Sequence, residues 1–228
     1  MERKPIRNGI AAGAAVLLAA TTLTVVAGTS NPTTEAQAAM AHANHADYRS
    51  RPAIKLRNTM RKLWEDHIVW TRQFIVSAIA ELPDTDTAAG RLLANQDDIG
   101  DAVKPFYGDA AGEQLSTLLR DHILIAADLL GAAKAGDSAA VEEASANWTA
   151  NANEIADFLN AANPRHWPRS EMRSMMAGHL EWTLAEATAR LNGDWEADVA
   201  AYDQIHRDIL HMADMLSRGL VAQFPGRF

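Results

Sequence analysis

Cysteine is missing from all 228 residues. Disulfides and thiol nucleophiles are therefore excluded, and any transition-metal site must be built from His, Asp, Glu or Met. Prolines number only 8 and aromatic residues make up 6%. No stretch alternates apolar and polar residues over the length of a strand, which leaves helix as the dominant element. Basic residues are outnumbered by acidic ones, 21 against 29, and they are scattered. With no basic patch or aromatic-interleaved groove, nucleic acid is set aside as a partner. The chemical signatures that name a reaction are missing too. There is no glycine-rich phosphate loop and no Gly-x-Ser-x-Gly. Neither His-Glu-x-x-His nor the Glu-x-x-His of di-iron bundles occurs.

What is present is an ordinary globular composition, 48% apolar and 22% charged, rich in Ala and Leu, with a formal charge of -8. An acidic balance of this size favours solubility and weakly attracts cations. The N-terminus reads as a targeting segment. Glu2-Arg3-Lys4 and Arg7 precede a run of small and apolar residues from Ile10 to Gly28, and Ala36-Gln37-Ala38 has the small-x-small form of a signal-peptidase site. Residues 1–38 are expected to be a cleaved signal peptide or, alternatively, a membrane anchor, the one route to a membrane. Either way the protein is expected outside the cytoplasm, secreted or in the cell envelope. Residues 39–53, rich in Ala, His and Asn and without an apolar period, read as a flexible leader.

From residue 54 onward, glycine and proline stops and aspartate caps divide the chain into six amphipathic helices. They are expected at about 54–82, 86–104, 109–135, 137–163, 169–192 and 194–224. The expected fold is all-α, a six-helix bundle built from three helical hairpins as one domain over 54–228. Asp66-His67-Ile68 recurs as Asp121-His122-Ile123, and Gly178-His179-Leu180 follows in the fifth helix, at spacings of 55 and 57 residues. Matching turns at Gly136-Asp137 and Gly193-Asp194 add to the impression of a repeat of about 56 residues.

The repeated histidines raise the chemical question. His67 falls in line with Leu56, Met60, Leu63, Phe74 and Ile75 on what should be an apolar stripe. In an up-down bundle the first, third and fifth helices run parallel, and their histidines come to about one height. The returning helices bring Asn95 or Asp98, Asn151 and His206 to that level, with Tyr202, Asp203 and Glu186 nearby. Two readings follow. Each imidazole can hydrogen-bond its own returning helix: His67 to Asn95 or Asp98, His122 to Asn151, His179 to Tyr202 or His206. Such bonds would fix helix register at about 1 kcal/mol each. Alternatively, His67, His122 and His179 converge on one zinc, copper, nickel or iron ion, with Glu186, Asp203 or His206 completing its shell. Asn95, Asp98, Asn151 and Tyr202 would then orient the rings. An enzyme would in addition need an open coordination position, and the sequence is silent on that.

Other candidates are weaker. His42 and His45 lie in the leader and His166 in a hairpin connection, and His211 sits off the main apolar face. Met172, Met175, Met176, Met212 and Met215 are more simply core filler than soft copper ligands. The ends around Phe106-Tyr107 and Phe224 to Phe228 read as aromatic plugs for one end of the bundle. The segments LWEDHIVWTR, RLLANQDDIG, KPFYG, NWTANANEIADFL and VAQFP resemble those of a family of small bacterial helical proteins of the secreted or envelope type, over about Leu56 to Phe228. The resemblance implies the domain limits and no activity. Metal handling, metal-dependent chemistry, and a non-catalytic module whose polar layer only sets register all remain open, as does any protein partner.

Overall fold

The computed structural model describes residues 47–228, so the targeting segment, the signal-peptidase site, His42 and His45 lie outside the described residues. Six helices follow in order: α1 (Arg51–Ile79), α2 (Thr85–Tyr107), α3 (Asp109–Ala135), α4 (Ser138–Ala162), α5 (Arg169–Asn192) and α6 (Trp195–Gln223). A short 3₁₀ turn spans Pro225–Arg227. There is no strand among the described residues. Each helix packs against its neighbour in sequence, and α6 closes the ring against α1, which also touches α5 across the interior.

The helix limits have local causes. α1 begins three residues before the expected start, so the leader is shorter than expected. Ser50 accepts a hydrogen bond from the Ala53 amide, and Pro52 sits in the first turn, where its missing N–H costs nothing. α2 runs through Pro105 to Tyr107 rather than stopping before the proline. Here the ring removes one bond of the last turn, and Gly108 at φ 85° then ends the helix. The α3–α4 and α5–α6 turns use one device twice. Gly136 and Gly193 take left-handed conformations at φ 71°, and the next aspartate, Asp137 or Asp194, caps the following helix by accepting from Ala140 or Ala197. α1 ends less comfortably, with Glu81 at φ 56° in a place suited to glycine.

The core follows the apolar stripes and runs the length of the bundle, from Trp148 and Leu129 through Ile68, Ile99, Ile155 and Ile209 to Leu220. At the chain-end pole Phe106, Tyr107, Phe224 and Phe228 gather, with ring centroids 5.4 Å apart for Phe106–Phe224 and 5.5 Å for Tyr107–Phe224. Trp167, from the α4–α5 connection, is driven into the core beside Gly219, where an added Cβ would lie 2.0 Å from its indole nitrogen. α2 and α3 approach as closely at Gly100 and Gly112, since a Cβ on Gly100 would stand 2.5 Å from the Gly112 carbonyl. Both contacts require glycine for space. No helix of the described residues is long and apolar enough to cross a membrane.

Candidate functional site: an imidazole layer in the bundle core

Because the connections are short, α1, α3 and α5 run in the same direction. Each brings one histidine to the bundle interior. His67 and His122 are 2% and 3% exposed, and His179 is partly buried. The His179 ring lies between the other two, with centroids 5.7 Å from His67 and 6.0 Å from His122. Tryptophans flank the layer. Trp64 meets His67 edge-on at 5.7 Å, and Trp148 lies over His122 at 5.2 Å. One turn beyond two of the histidines, Thr71 and Thr183 donate their hydroxyls to the His67 and His179 carbonyls at 2.7 and 2.8 Å.

The hydrogen bonds identify the tautomers. The Asn151 amide nitrogen donates to the Leu118 carbonyl at 3.1 Å, so its oxygen, 2.8 Å from His122 Nδ1, must accept. The His122 proton therefore sits on Nδ1, leaving a lone pair on Nε2 that is buried and without a partner. His67 is held the other way. Gln96 Nε2 donates to the Leu92 carbonyl at 2.7 Å and shares its second hydrogen between Asn95 Oδ1 and His67 Nδ1, each at 3.3 Å; Nδ1 thus faces an amide N–H, which puts the His67 proton on Nε2. Gln96 Oε1 is buried without a partner. The His179 ring makes no side-chain hydrogen bond.

All three rings are neutral at physiological pH. Burial pushes His122 down to about 3, with the neighbouring His179 adding to the effect and Asn151 opposing it. Burial lowers His179 to about 4, moderated by the Asp208 carboxylate. His67 is lowered well below its ordinary value, by burial first and then by the two other imidazoles. The layer thus offers imidazole lone pairs for which protons do not compete near neutrality.

The structure separates several of the expected site residues from this layer. Glu186 is 2% exposed but is held by Arg72, whose Nη1 lies 2.5 Å from its Oε1. Arg72 also binds Asp198 at 2.7 Å, Arg190 closes on Asp198 at 3.1 Å, and the Arg72 guanidinium lies 4.7 Å from the Tyr202 ring centroid. Glu186 thus belongs to a buried ion cluster joining α1, α5 and α6, where an arginine outcompetes neutral imidazoles for a carboxylate. Burial raises Glu186 to about 7 against the pull of Arg72. His206 turns outward and meets Glu65 of α1 at 2.9 Å, both half-exposed. Asp203 and Asp98 are exposed. The expected His67 partners are replaced as well. Asn95 donates to the Leu63 carbonyl at 3.0 Å, and its chain neighbour Gln96 reaches His67 instead. His179 pairs with neither Tyr202 nor His206, since Tyr202 stacks on Arg72 and His206 faces solvent. Of the expected pairs, His122 with Asn151 is the one the structure contains.

One residue of the layer escaped the sequence reading, Gln96. It had a signal: it follows His67 by 29 residues, the interval that separates Asn151 from His122. As the side chains stand, no group of three or more His, Asp or Glu among the described residues has metal-holding geometry. Comparison with protein-family models, with curated proteins and with solved structures returned no match.

Proposed function

We propose that the imidazole layer binds a transition-metal ion, with His67, His122 and His179 as ligands, in a protein that works outside the cytoplasm. The observation that carries this reading is the buried Nε2 lone pair of His122, fixed by Asn151 and without a partner among the described residues, in a core that holds two more neutral imidazoles. A buried acceptor without a donor costs about 1–3 kcal/mol, and a cation at that place turns the cost into a bond. Two imidazoles on one ion have centroids about 5 Å apart, given ligand bonds of about 2.0–2.1 Å. His179 stands near that distance from each of the other two rings, whereas His67 and His122, on either side of it, must draw together to share one ion. His67 must also move its proton to Nδ1, which requires the Gln96 amide to turn its free Oε1 toward the ring. Neutral nitrogen donors suit zinc, copper, nickel or iron. The Asp208 carboxylate bears on His179 as a charge while accepting from Gln204 at 2.9 Å, and Glu186, Asp203 and His206 have other partners or face solvent.

The second reading is supported by Asn95 and Asn151, which tie backbone carbonyls of α1 and α3 to α2 and α4. On that reading the layer only sets helix register, as part of a non-catalytic module. The experiment that separates the two uses the purified protein without a metal-binding tag. Stoichiometric zinc, copper, nickel or iron is expected, with His122→Ala losing it and His166→Ala retaining it. Metal at about 100 times its Kd should stabilise by about 2.7 kcal/mol. Substoichiometric metal, with no change of Tm on adding any of the four ions, would leave the register reading.

A further inference from the structure

On the side of the layer toward the Gly136 and Gly193 turns lies an apolar cavity of about 60 Å³. Its walls come from Ile75 of α1, Leu92 of α2, Leu129 of α3 and Leu191 of α5, and α6 takes no part. The three imidazoles do not line it themselves; it borders their layer through neighbouring residues. Thr71 and Thr183, one turn beyond His67 and His179, line it, as do Ile123, next in chain to His122, and Trp148, which lies over the His122 ring. The Thr71 and Thr183 hydroxyls donate to histidine carbonyls, Thr188 lies at the exposed edge, and the Leu92 carbonyl is taken by Gln96. The lining offers few partners to water, which needs two to four, and an apolar cavity of this kind stays dry. Dry cavities of about 150 Å³ accept benzene or xenon. This one is too small for a ring and suited to an object of two heavy atoms. Exposed Leu184 and Thr188 edge it on the α5 side and provide a way in.

We propose that this cavity docks a small apolar diatomic gas, of the dioxygen and nitric oxide class, beside the imidazole layer. Size, dryness and adjacency each point to that class. Larger apolar ligands do not fit, polar ones find few partners, and the lining touches the layer through Trp148, which packs on the His122 ring. The chemical consequence rests on the metal reading above; the occupancy does not.

The test has two arms. In the first, xenon stands in for the gas in the metal-free protein, read by xenon NMR and by a xenon-pressurised crystal. One saturable site between Ile75, Ile123 and Leu129 is expected, and it should be lost in Ala126→Leu and in Ala133→Leu, two cavity-lining changes that keep strong helix formers. Using two variants guards against one failing to fold. No saturable site, or xenon elsewhere only, overturns the proposal whatever the metal content. In the second arm nitric oxide is mixed with the iron(II)-loaded protein. Its combination rate should fall several-fold in the filled variants while iron content stays unchanged. Equal rates in filled and wild-type protein overturn the link between cavity and layer. Xenon in the cavity with no metal uptake upholds the docking site and removes the metal reading.

Discussion

Acid should weaken this protein earlier and more steeply than an ordinary helical bundle, and the layer sets the amount. His67, His122 and His179 are depressed in the folded state, the latter two to about 3 and about 4, against 6.5 when unfolded. A depressed histidine contributes its full stability above the unfolded value. That stability is lost as pH falls from 6.5 toward the folded value, because the unfolded chain takes up the proton first. Between pH 7 and pH 5 His122 and His179 then cost about 2 kcal/mol each, or about 4 kcal/mol together, and His67 acts in the same direction. Glu186 acts in the opposite sense. Its folded value is raised to about 7 from 4.5, so the folded state holds a proton that the unfolded one lacks, and stability rises by about 2 kcal/mol over the same interval. Against the two histidines this leaves a net loss of about 2 kcal/mol, to which His67 adds, a sizeable share of a usual stability of about 5–15 kcal/mol. Urea unfolding of the metal-free protein at pH 7, 6 and 5 measures it directly. Replacing His122 by Gln removes one of the three protons and should shrink the loss by about 2 kcal/mol, while Glu186→Gln should enlarge it by a similar amount. A stability flat between pH 7 and 5, or an unchanged loss in His122→Gln, would refute the claim that these rings are buried and neutral.

Asn151→Ala should destabilise by about 1–3 kcal/mol, since it strands the buried His122 Nδ1–H and removes the bond to the Leu118 carbonyl; urea unfolding at pH 7.5 reads the change. Arg72→Met leaves Glu186 and Asp198 buried with only Arg190 nearby, so a loss of about 3–5 kcal/mol is expected. Adding Glu186→Gln to it should recover part of that loss, and a double variant no better than the single one would count against the ion cluster. Gly219→Ala pushes a methyl into the Trp167 indole and should cost about 1–3 kcal/mol with a changed near-UV circular dichroism spectrum. Gly226→Ala, which meets nothing within 4 Å, is its control.

The sequence by itself determined the elements. Apolar residues at helical spacing, stops at Gly136, Gly193 and Pro164, and aspartate caps at Asp137 and Asp194 act within a few residues of chain. For that reason four of the six helices begin and end within about two residues of where they are expected. The three larger shifts are local as well: a serine cap at Ser50 extends α1 backward, α1 ends at Ile79, three residues early, before Glu81 turns to φ 56°, and Pro105 is tolerated in the final turn of α2. Short connections also made the bundle, and the common height of His67, His122 and His179, legible in advance. Which atom meets which was decided by tertiary structure alone. A residue on a helix differs from its chain neighbour by 100° of rotation, so whether Asn95 or Gln96 faces His67 depends on how α2 is turned against α1. Glu186 offered a carboxylate on a favourable face, but Arg72, 114 residues away in sequence, arrives opposite it and takes it. His206 and Asp203 lay at the right height and on the wrong side. Height along a bundle accumulates from rise per residue and can be counted along the chain. Rotation about each helix axis is set by the packing of all six, and with it the partners, the tautomers and the lone pair on His122.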